Sequence, residues 1–327
     1  IKLHASSNTQ KIFVPLSQLS ITMRMLELIL LALNALSEDP DWKAKLPPEA
    51  ISPVEIIDPA KIPVEQAGTI APKLLEEESV AVWAQDIGSG KALYSQKAYR
   101  EQPIASLTKI MTALVILNEH ELDEVVTVSP DATRIIGAQI DLYDYEKLTI
   151  ETLLEAILIP SANDAAIALS IYNADTEDAF VEKMNTYAQK YNLKKTKFYN
   201  STGLDLYDEE SDTYYGNMST AFEVAELTRI AMQNPFFRKT VRKTEFYGTS
   251  TDGQFAHTKP TTNQLMGSFT GSIGVKTGYT FLAGQCLVNL SRRADGVEIL
   301  TVVLGSPDRF QETKNILTWL WDNFEWR

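Results

Sequence analysis

The sequence predicts an α/β fold of the α+β type, in which helices flank an antiparallel sheet of about five strands and an all-helical subdomain is inserted between its strands. Strand-like segments occur towards both ends of the main region: 79–86, 91–95, 272–279, 284–291 and 297–304. Helical patterns fill the middle, at 150–192 and 219–239, and return at 309–326. Strands contributed by both ends around a helical middle predict one sheet with an insertion.

Each element has its own local signal. The glycines around Ser89 predict a hairpin turn between the first two strands, and the run VEILTVVL at 297–304 is rich in β-branched residues. Residues 104–117 are almost wholly apolar, which is typical of a helix buried on every side. The pattern at 309–326 places its apolar residues on one face, which predicts packing on the sheet: Ile316, Leu317, Leu320, Trp321 and Phe324.

Two segments precede the main domain, which we place at 73–327. Residues 1–38 hold an apolar stretch preceded by basic residues, and predict either a signal-like export segment or an amphipathic helix docked on the domain. Its longest unbroken apolar run, Leu28 to Leu33, is too short to span a bilayer. Residues 39–72 hold half of the 14 prolines, which predicts an extended linker.

Charge and composition exclude several function classes. The formal net charge of −13 leaves no basic surplus for phosphates, which argues against nucleic acid as a partner. The single cysteine, Cys286, lies in an apolar strand pattern and predicts inert packing. The three histidines (His4, His120 and His257) show no metal-binding spacing, and phosphate-loop and dinucleotide motifs are absent, so we expect neither metal nor cofactor.

Three short motifs carry candidate chemistry: Ser106-Leu107-Thr108-Lys109, Ser161-Ala162-Asn163 and Lys276-Thr277-Gly278. Ser106 stands where the apolar helix begins, so its backbone N–H lacks a helical partner and can donate to an oxyanion. Lys109 lies one turn later on the same face. Burial lowers the pKa of a lysine, and the neutral amine can then take the serine proton.

The second motif follows a helical pattern that Pro160 interrupts. We expect Ser161 and Asn163 in the turn before a helix that opens at Asp164. Ser161 can relay a proton between Lys109 and a leaving amine, and Asn163 can bind a substrate amide. Taken alone, either side chain would be interpreted as a helix cap.

The third motif lies in the strand-like run 272–279. An extended peptide can pair along such a strand. Lys276 and the Thr277 hydroxyl are suited to a terminal carboxylate, while Gly278 leaves the backbone accessible. The N–H of Tyr279 is a candidate second oxyanion donor.

Together the motifs resemble those of the low-molecular-weight penicillin-binding proteins, specifically the serine D-alanyl-D-alanine carboxypeptidases, over about residues 73–327. Further stretches match that family: 103–105, 163–166, 200–204, 262–263, 278–280 and 283–284. The resemblance implies a DD-peptidase/β-lactamase fold, an acyl-enzyme on Ser106 with Lys109 as base, and a peptidoglycan stem peptide ending in D-Ala-D-Ala as substrate. It also implies covalent inhibition by β-lactams and a place of action outside the cytoplasm.

Three other functions use the same fold. A class A β-lactamase needs a glutamate after the second motif, yet residues 183–204 contain no acidic side chain, so we expect a stable penicillin adduct. A DD-endopeptidase uses the same nucleophile. A non-catalytic scaffold is expected to lose the nucleophile or the base, and both are present. The sequence leaves stem-peptide preference, oligomeric state and membrane association open, although Asp322 and Glu325 stand where C-terminal anchors favour lysines.

Overall fold

A computed structural model describes residues 62–66 and 80–327. The predicted N-terminal segment 1–38 and most of the predicted linker 39–72 lie outside the described residues, as does His4.

The strands are short except for three near the C-terminus. In chain order they are β1 (Pro63–Glu65), β2 (Ala81–Asp86), β3 (Ala92–Gln96), β4 (Gln102–Pro103), β5 (Val125–Thr127), β6 (Lys147–Thr149), β7 (Leu206–Asp208), β8 (Thr213–Tyr215), β9 (Met218–Ser219), β10 (Glu245–Thr249), β11 (Ala256–Pro260), β12 (Ser272–Thr280), β13 (Gly284–Arg292), β14 (Glu298–Ser306) and β15 (Phe324–Trp326).

The helices lie mainly between β4 and β10. They are α1 (Lys109–Glu119), α2 (Pro130–Thr133), α3 (Ile150–Leu158), α4 (Asn163–Ala174), α5 (Glu177–Lys190), α6 (Ala221–Ala231), α7 (Pro235–Thr240) and α8 (Arg309–Asn323). A 3₁₀ helix, Ala105–Thr108, leads into α1.

The main sheet has the order β12-β13-β14-β2-β3, and every neighbouring pair is antiparallel. The predicted five-stranded sheet built from both ends of the chain is therefore confirmed. Helices cover both faces: Val82 packs in one cluster with residues of α8, and Trp83 meets Phe222 of α6 edge-on at 5.1 Å. Successive strand residues point to opposite faces, so β2 is buried along its whole length.

The predicted apolar helix becomes α1, at the centre of the helical subdomain. Every residue from Lys109 to Ile116 is buried, because α3, α4, α5 and α6 all contact this helix. Burial on all sides explains why its sequence is apolar all round. It also means that a lysine in this helix is removed from water.

The structure differs from the sequence-based boundaries at three points. Helix α4 begins at Asn163 rather than Asp164. Helix α8 ends at Asn323, because residues 324–326 pair with β1, a strand inside the predicted linker. Ser106 lies in the 3₁₀ helix rather than in the first turn of α1. Cys286 is buried in β13, as its pattern predicted, and burial raises the pKa of its thiol to about 11.

No helix among residues 62–66 and 80–327 combines the length and the apolar character that crossing a membrane requires.

Candidate active site

The segment that carries Ser106 is enclosed by two glycines. Ala105 has a φ of 47°, in the left-handed region that costs a non-glycine residue energy. A Cβ atom on Gly203 would lie 2.0 Å from the Ala105 carbonyl oxygen, and one on Gly278 would lie 3.1 Å from the Ser106 nitrogen. Two other backbone segments therefore approach the nucleophile closely because they carry no side chain there.

The side chains of Ser106 and Lys109 are in direct contact. The Lys109 Nζ atom lies 3.0 Å from the Ser106 Oγ atom, and Lys109 is fully buried. Burial lowers the pKa of Lys109 to about 7, although the nearby Asp164 carboxylate acts in the opposite direction. A large share of the amine is thus neutral near pH 7, as the sequence predicted for a general base.

Two other acceptors orient the Lys109 amine. The amine lies 2.7 Å from Asn163 Oδ1 and 2.7 Å from the Thr202 carbonyl oxygen. The Asn163 amide is itself fixed, because its Nδ2 donates to the Ile136 carbonyl at 2.7 Å. A neutral amine has two hydrogens, which these acceptors occupy, so its lone pair is left for the Ser106 hydroxyl.

The Thr202 carbonyl is held in place by a turn whose role the motif analysis missed. Asn200 Oδ1 accepts hydrogen bonds from the backbone N–H of Thr202 at 3.2 Å and of Gly203 at 2.6 Å. Asn217 Nδ2 donates to the Asn200 carbonyl and to Thr108 Oγ1, both at 2.9 Å. The stretch 200–204 matches the family, which is a usable signal, whereas nothing in the sequence singles out Asn217.

Ser161 and Lys276 form the second contact pair. The Lys276 amine donates to Ser161 Oγ at 2.7 Å and to the Thr277 carbonyl at 2.8 Å. Lys276 is 1% exposed, and burial, followed by repulsion from Lys109 and Arg309, holds its pKa well below the usual range. The second and third motifs therefore meet beside the first.

Strand β12 supplies the open side of the site. It is the edge strand of the sheet in the described part of the chain, so one of its sides has no partner strand. The Thr277 hydroxyl lies 2.5 Å from that of Thr262. Tyr279 is 66% exposed and follows Gly278 on this strand, and its backbone N–H is the predicted second oxyanion donor. An edge of this kind can pair with an extended peptide.

Arg309 is a site residue that the sequence analysis did not identify. Its Nη1 atom donates to the Gly278 carbonyl at 2.6 Å, and the side chain is largely buried. Arg309 is the first residue of α8, where a cation opposes the helix dipole. That unfavourable position was a signal that the residue serves another purpose.

The site concentrates basic groups. Within the described residues, no carboxylate lies within 4.0 Å of the basic groups of Lys109, Lys276 or Arg309. An anion that entered here would be attracted by basic groups already withdrawn from water. In that same part of the chain, His, Cys, Asp and Glu side chains form no group of three or more that could hold a metal ion.

Comparison with known proteins agrees with this geometry. Residues 69–308 match the family described as D-alanyl-D-alanine carboxypeptidase. The chain is 32% identical over 248 residues to D-alanyl-D-alanine carboxypeptidase DacF of Bacillus subtilis. The aligned region covers 74% of this chain and 61% of DacF. It is 30% identical over 256 residues to a D-alanyl-D-alanine endopeptidase of Pseudomonas aeruginosa, covering 72% of this chain and 74% of that one.

The fold is also similar to that of a solved structure. The crystal structure of the Streptomyces K15 DD-transpeptidase superposes with a TM-score of 0.69 at 28% identity, covering 77% of this chain and all of that one. This chain spans about three fifths of the length of DacF. The family match covers most of the chain and confirms the predicted resemblance: the protein belongs to the D-alanyl-D-alanine carboxypeptidase family.

Proposed function

We propose that this protein is a serine D-Ala-D-Ala carboxypeptidase, which removes the terminal D-alanine from peptidoglycan stem peptides through an acyl-enzyme on Ser106. One observation carries the proposal. A buried lysine with a pKa of about 7 touches Ser106, and within the described residues the basic groups of Lys276 and Arg309 beside it have no carboxylate within 4.0 Å. The first feature suits an activated nucleophile, and the second suits a substrate with a free terminal carboxylate.

Acylation follows from the contacts. The Ser106 oxygen attacks the carbonyl carbon of the terminal peptide bond while the Lys109 lone pair takes its proton. The developing oxyanion lies between the backbone N–H groups of Ser106 and Tyr279. As the C–N bond breaks, the proton held by Lys109 passes through the Ser161 hydroxyl, which contacts Lys276, to the leaving D-alanine amine.

The terminal carboxylate of the substrate accounts for the remaining basic groups. Lys276 and Arg309 supply positive charge, and the Thr277 hydroxyl supplies a directional donor. Burial, followed by repulsion from Lys109 and Arg309, lowers the pKa of Lys276, and a bound anion acts in the opposite direction, so substrate binding favours the protonated lysine. Substrate and cationic site thus stabilise each other.

Deacylation transfers the acyl group to water. Lys109 is neutral again once its proton has left with the D-alanine amine, so it can take a proton from the attacking water and return it to the Ser106 oxygen as the ester bond breaks. Glu177 is the first glutamate after the second motif, and it accepts hydrogen bonds from the Ser201 backbone N–H and hydroxyl at 2.8 Å and 2.7 Å. A penicillin adduct, whose shape hinders the approach of water, is therefore expected to persist, and β-lactams are proposed covalent inhibitors.

The proposed substrate is a cell-wall polymer, so the proposed place of action is outside the cytoplasmic membrane. Fractionation of cells that produce the complete protein tests this point, and recovery of the protein from the cytosol alone would contradict it.

Labelling with a fluorescent penicillin tests the proposal, with wild type compared with Ser106→Ala. Wild type should be labelled and the variant should not. Release of D-alanine from a D-Ala-D-Ala peptide then separates an enzyme from a scaffold. Equal labelling of both proteins would remove Ser106 from the mechanism.

Peptide chemistry distinguishes the endopeptidase alternative. A carboxypeptidase that relies on the cationic site should cleave a free-acid D-Ala-D-Ala peptide and lose activity on the C-terminal amide. An endopeptidase would cleave a cross-linked dimer at least as well as the free-acid peptide.

A further inference from the structure

A buried histidine and a buried glutamate meet outside the motifs. His257, on β11, is 6% exposed, and Glu146, directly before β6, is 4% exposed. The His257 Nε2 atom lies 2.8 Å from Glu146 Oε1, and its Nδ1 atom lies 2.8 Å from the Ile140 carbonyl oxygen. Nothing in the chemistry derived above uses this pair.

The pair supports the loop between α2 and β6, residues 134–146, which we call the 134–146 loop. Two carbonyl groups of this loop hold Asn163: Ile136 accepts from its Nδ2 and Ala138 accepts from its backbone N–H, both at 2.7 Å. Because Asn163 presents its Oδ1 to Lys109, the loop determines which end of the amide faces the base.

Ile140 is the point at which the loop is held from two sides. The Asp164 carboxylate accepts from its N–H at 3.1 Å, and His257 contacts its carbonyl oxygen. A carbonyl oxygen cannot donate, so Nδ1 of His257 must carry a hydrogen. The other ring nitrogen faces Glu146, whose second oxygen accepts from the Tyr143 N–H at 3.0 Å, so the imidazole orientation is determined on both sides.

We propose that His257 and Glu146 are positioning residues for acylation. The Nδ1–H of His257 holds the Ile140 carbonyl, Glu146 fixes the ring, and the 134–146 loop in turn keeps the Asn163 oxygen on Lys109. The inference deepens the proposed function, since it concerns the alignment of the same base with Ser106. Misalignment slows the proton transfer without removing any group that binds the inhibitor.

The chain contains a matched control for this contact. Asp141, next to Ile140, forms an ion pair of 2.7 Å with Lys259, two residues after His257. Both this ion pair and the pair of His257 and Glu146 join the 134–146 loop to β11. The side chains of Asp141 and Lys259, however, are 68% and 39% exposed. Exposed ion pairs contribute little, so loss of this one leaves the loop in place.

The experiment uses the full chain and a chromogenic penicillin in stopped flow, which separates the non-covalent Kd from the acylation rate constant. His257→Asn retains a donor where Nδ1 stood, whereas His257→Gln retains one only where Nε2 stood. We expect His257→Gln to acylate about tenfold more slowly or worse at a Kd within about twofold of wild type. His257→Asn and Asp141→Ala should stay within about threefold in the acylation rate constant.

Two results would overturn the inference: wild-type acylation by His257→Gln, or equal slowing of the Asn and Gln variants. If either histidine variant fails to fold, Glu146→Met replaces it, since it keeps the side-chain length but removes the acceptor. This variant should also slow acylation at unchanged Kd, and an unchanged rate would again overturn the inference. Failure of wild type to acylate would instead refute the proposed function.

Discussion

The Lys276 amine donates a 2.7 Å hydrogen bond to the Ser161 hydroxyl. Lys276 lies on β12, at the edge of the sheet, and Ser161 lies just before α4, in the helical subdomain. The bond therefore connects the two halves of the fold directly beside Ser106. Ser161 has a φ of 69°, unusual for a serine, and its neighbours must hold it there.

Replacing Lys109 with methionine should abolish most acylation. Methionine fills a similar volume but has no lone pair for the serine proton, and loss of a general base costs roughly 10²- to 10⁴-fold in rate. Stopped-flow acylation by a penicillin measures the effect. Lys259→Met, which removes an exposed lysine, is the control, and comparable rates for the two variants would exclude Lys109 as the base.

The pH dependence of acylation should show an acid limb near pH 7. Burial lowers the pKa of Lys109 to about 7, and only the neutral amine accepts the proton. Below that value the neutral fraction, and with it the rate, falls about tenfold for each pH unit. A rate that rose as the pH was lowered through this range would contradict the assignment.

Stability should increase as the pH rises from about 7 towards 9, below the range in which Cys286, whose pKa is raised, acts in the opposite direction. Lys109 has a lowered pKa in the folded protein, so in this window the unfolded chain binds a proton that the folded chain does not. Lys276, whose pKa is also lowered, acts in the same direction. Urea denaturation across this range measures the trend for wild type, and Lys109→Met should show a weaker rise.

Replacing Arg309 with methionine should weaken recognition of the terminal carboxylate. The change removes a buried cation and the 2.6 Å hydrogen bond to the Gly278 carbonyl. We expect kcat/KM for a free-acid peptide to fall about tenfold or more, since charge-assisted hydrogen bonds contribute most in such sites. Arg229→Met, at a partly exposed ion pair on α6, is the control and should leave kcat/KM unchanged.

Replacing Gly203 with alanine should disrupt both stability and acylation. The new Cβ would lie 2.0 Å from the Ala105 carbonyl oxygen, so the segment that carries Ser106 must move. Gly253 has a similar φ of 74°, but nothing lies within 4 Å of the position that its Cβ would take. Gly253→Ala therefore measures the cost of the backbone strain without a steric clash, about 1 kcal/mol. Thermal denaturation should show a larger loss for Gly203→Ala, and equal losses would contradict the packing argument.

The penicillin adduct should outlive many turnovers of the peptide substrate. Mass spectrometry should find one acyl group on wild type that decays slowly, with nitrocefin giving a burst followed by slow turnover. Rapid and sustained nitrocefin hydrolysis would instead favour the β-lactamase alternative.

By itself, the sequence determined the fold class, the apolar helix that carries Lys109 one turn after Ser106, and the family. These properties depend on local patterns, such as the apolar run of α1 and the β-branched run of β14, and on motifs that are contiguous in the chain. The spacing of Ser106 and Lys109 is fixed by one helical turn, so their contact needs no information from the rest of the molecule.

Only the tertiary structure decided which distant groups complete the site. The Thr202 carbonyl, Arg309 and the pair of His257 and Glu146 lie outside the motifs along the chain, and each makes its contact through a turn, a helix end or a loop. The pKa of Lys109 falls to about 7 because other segments of the chain bury its amine and exclude water from it. That burial depends on the packing of the whole domain.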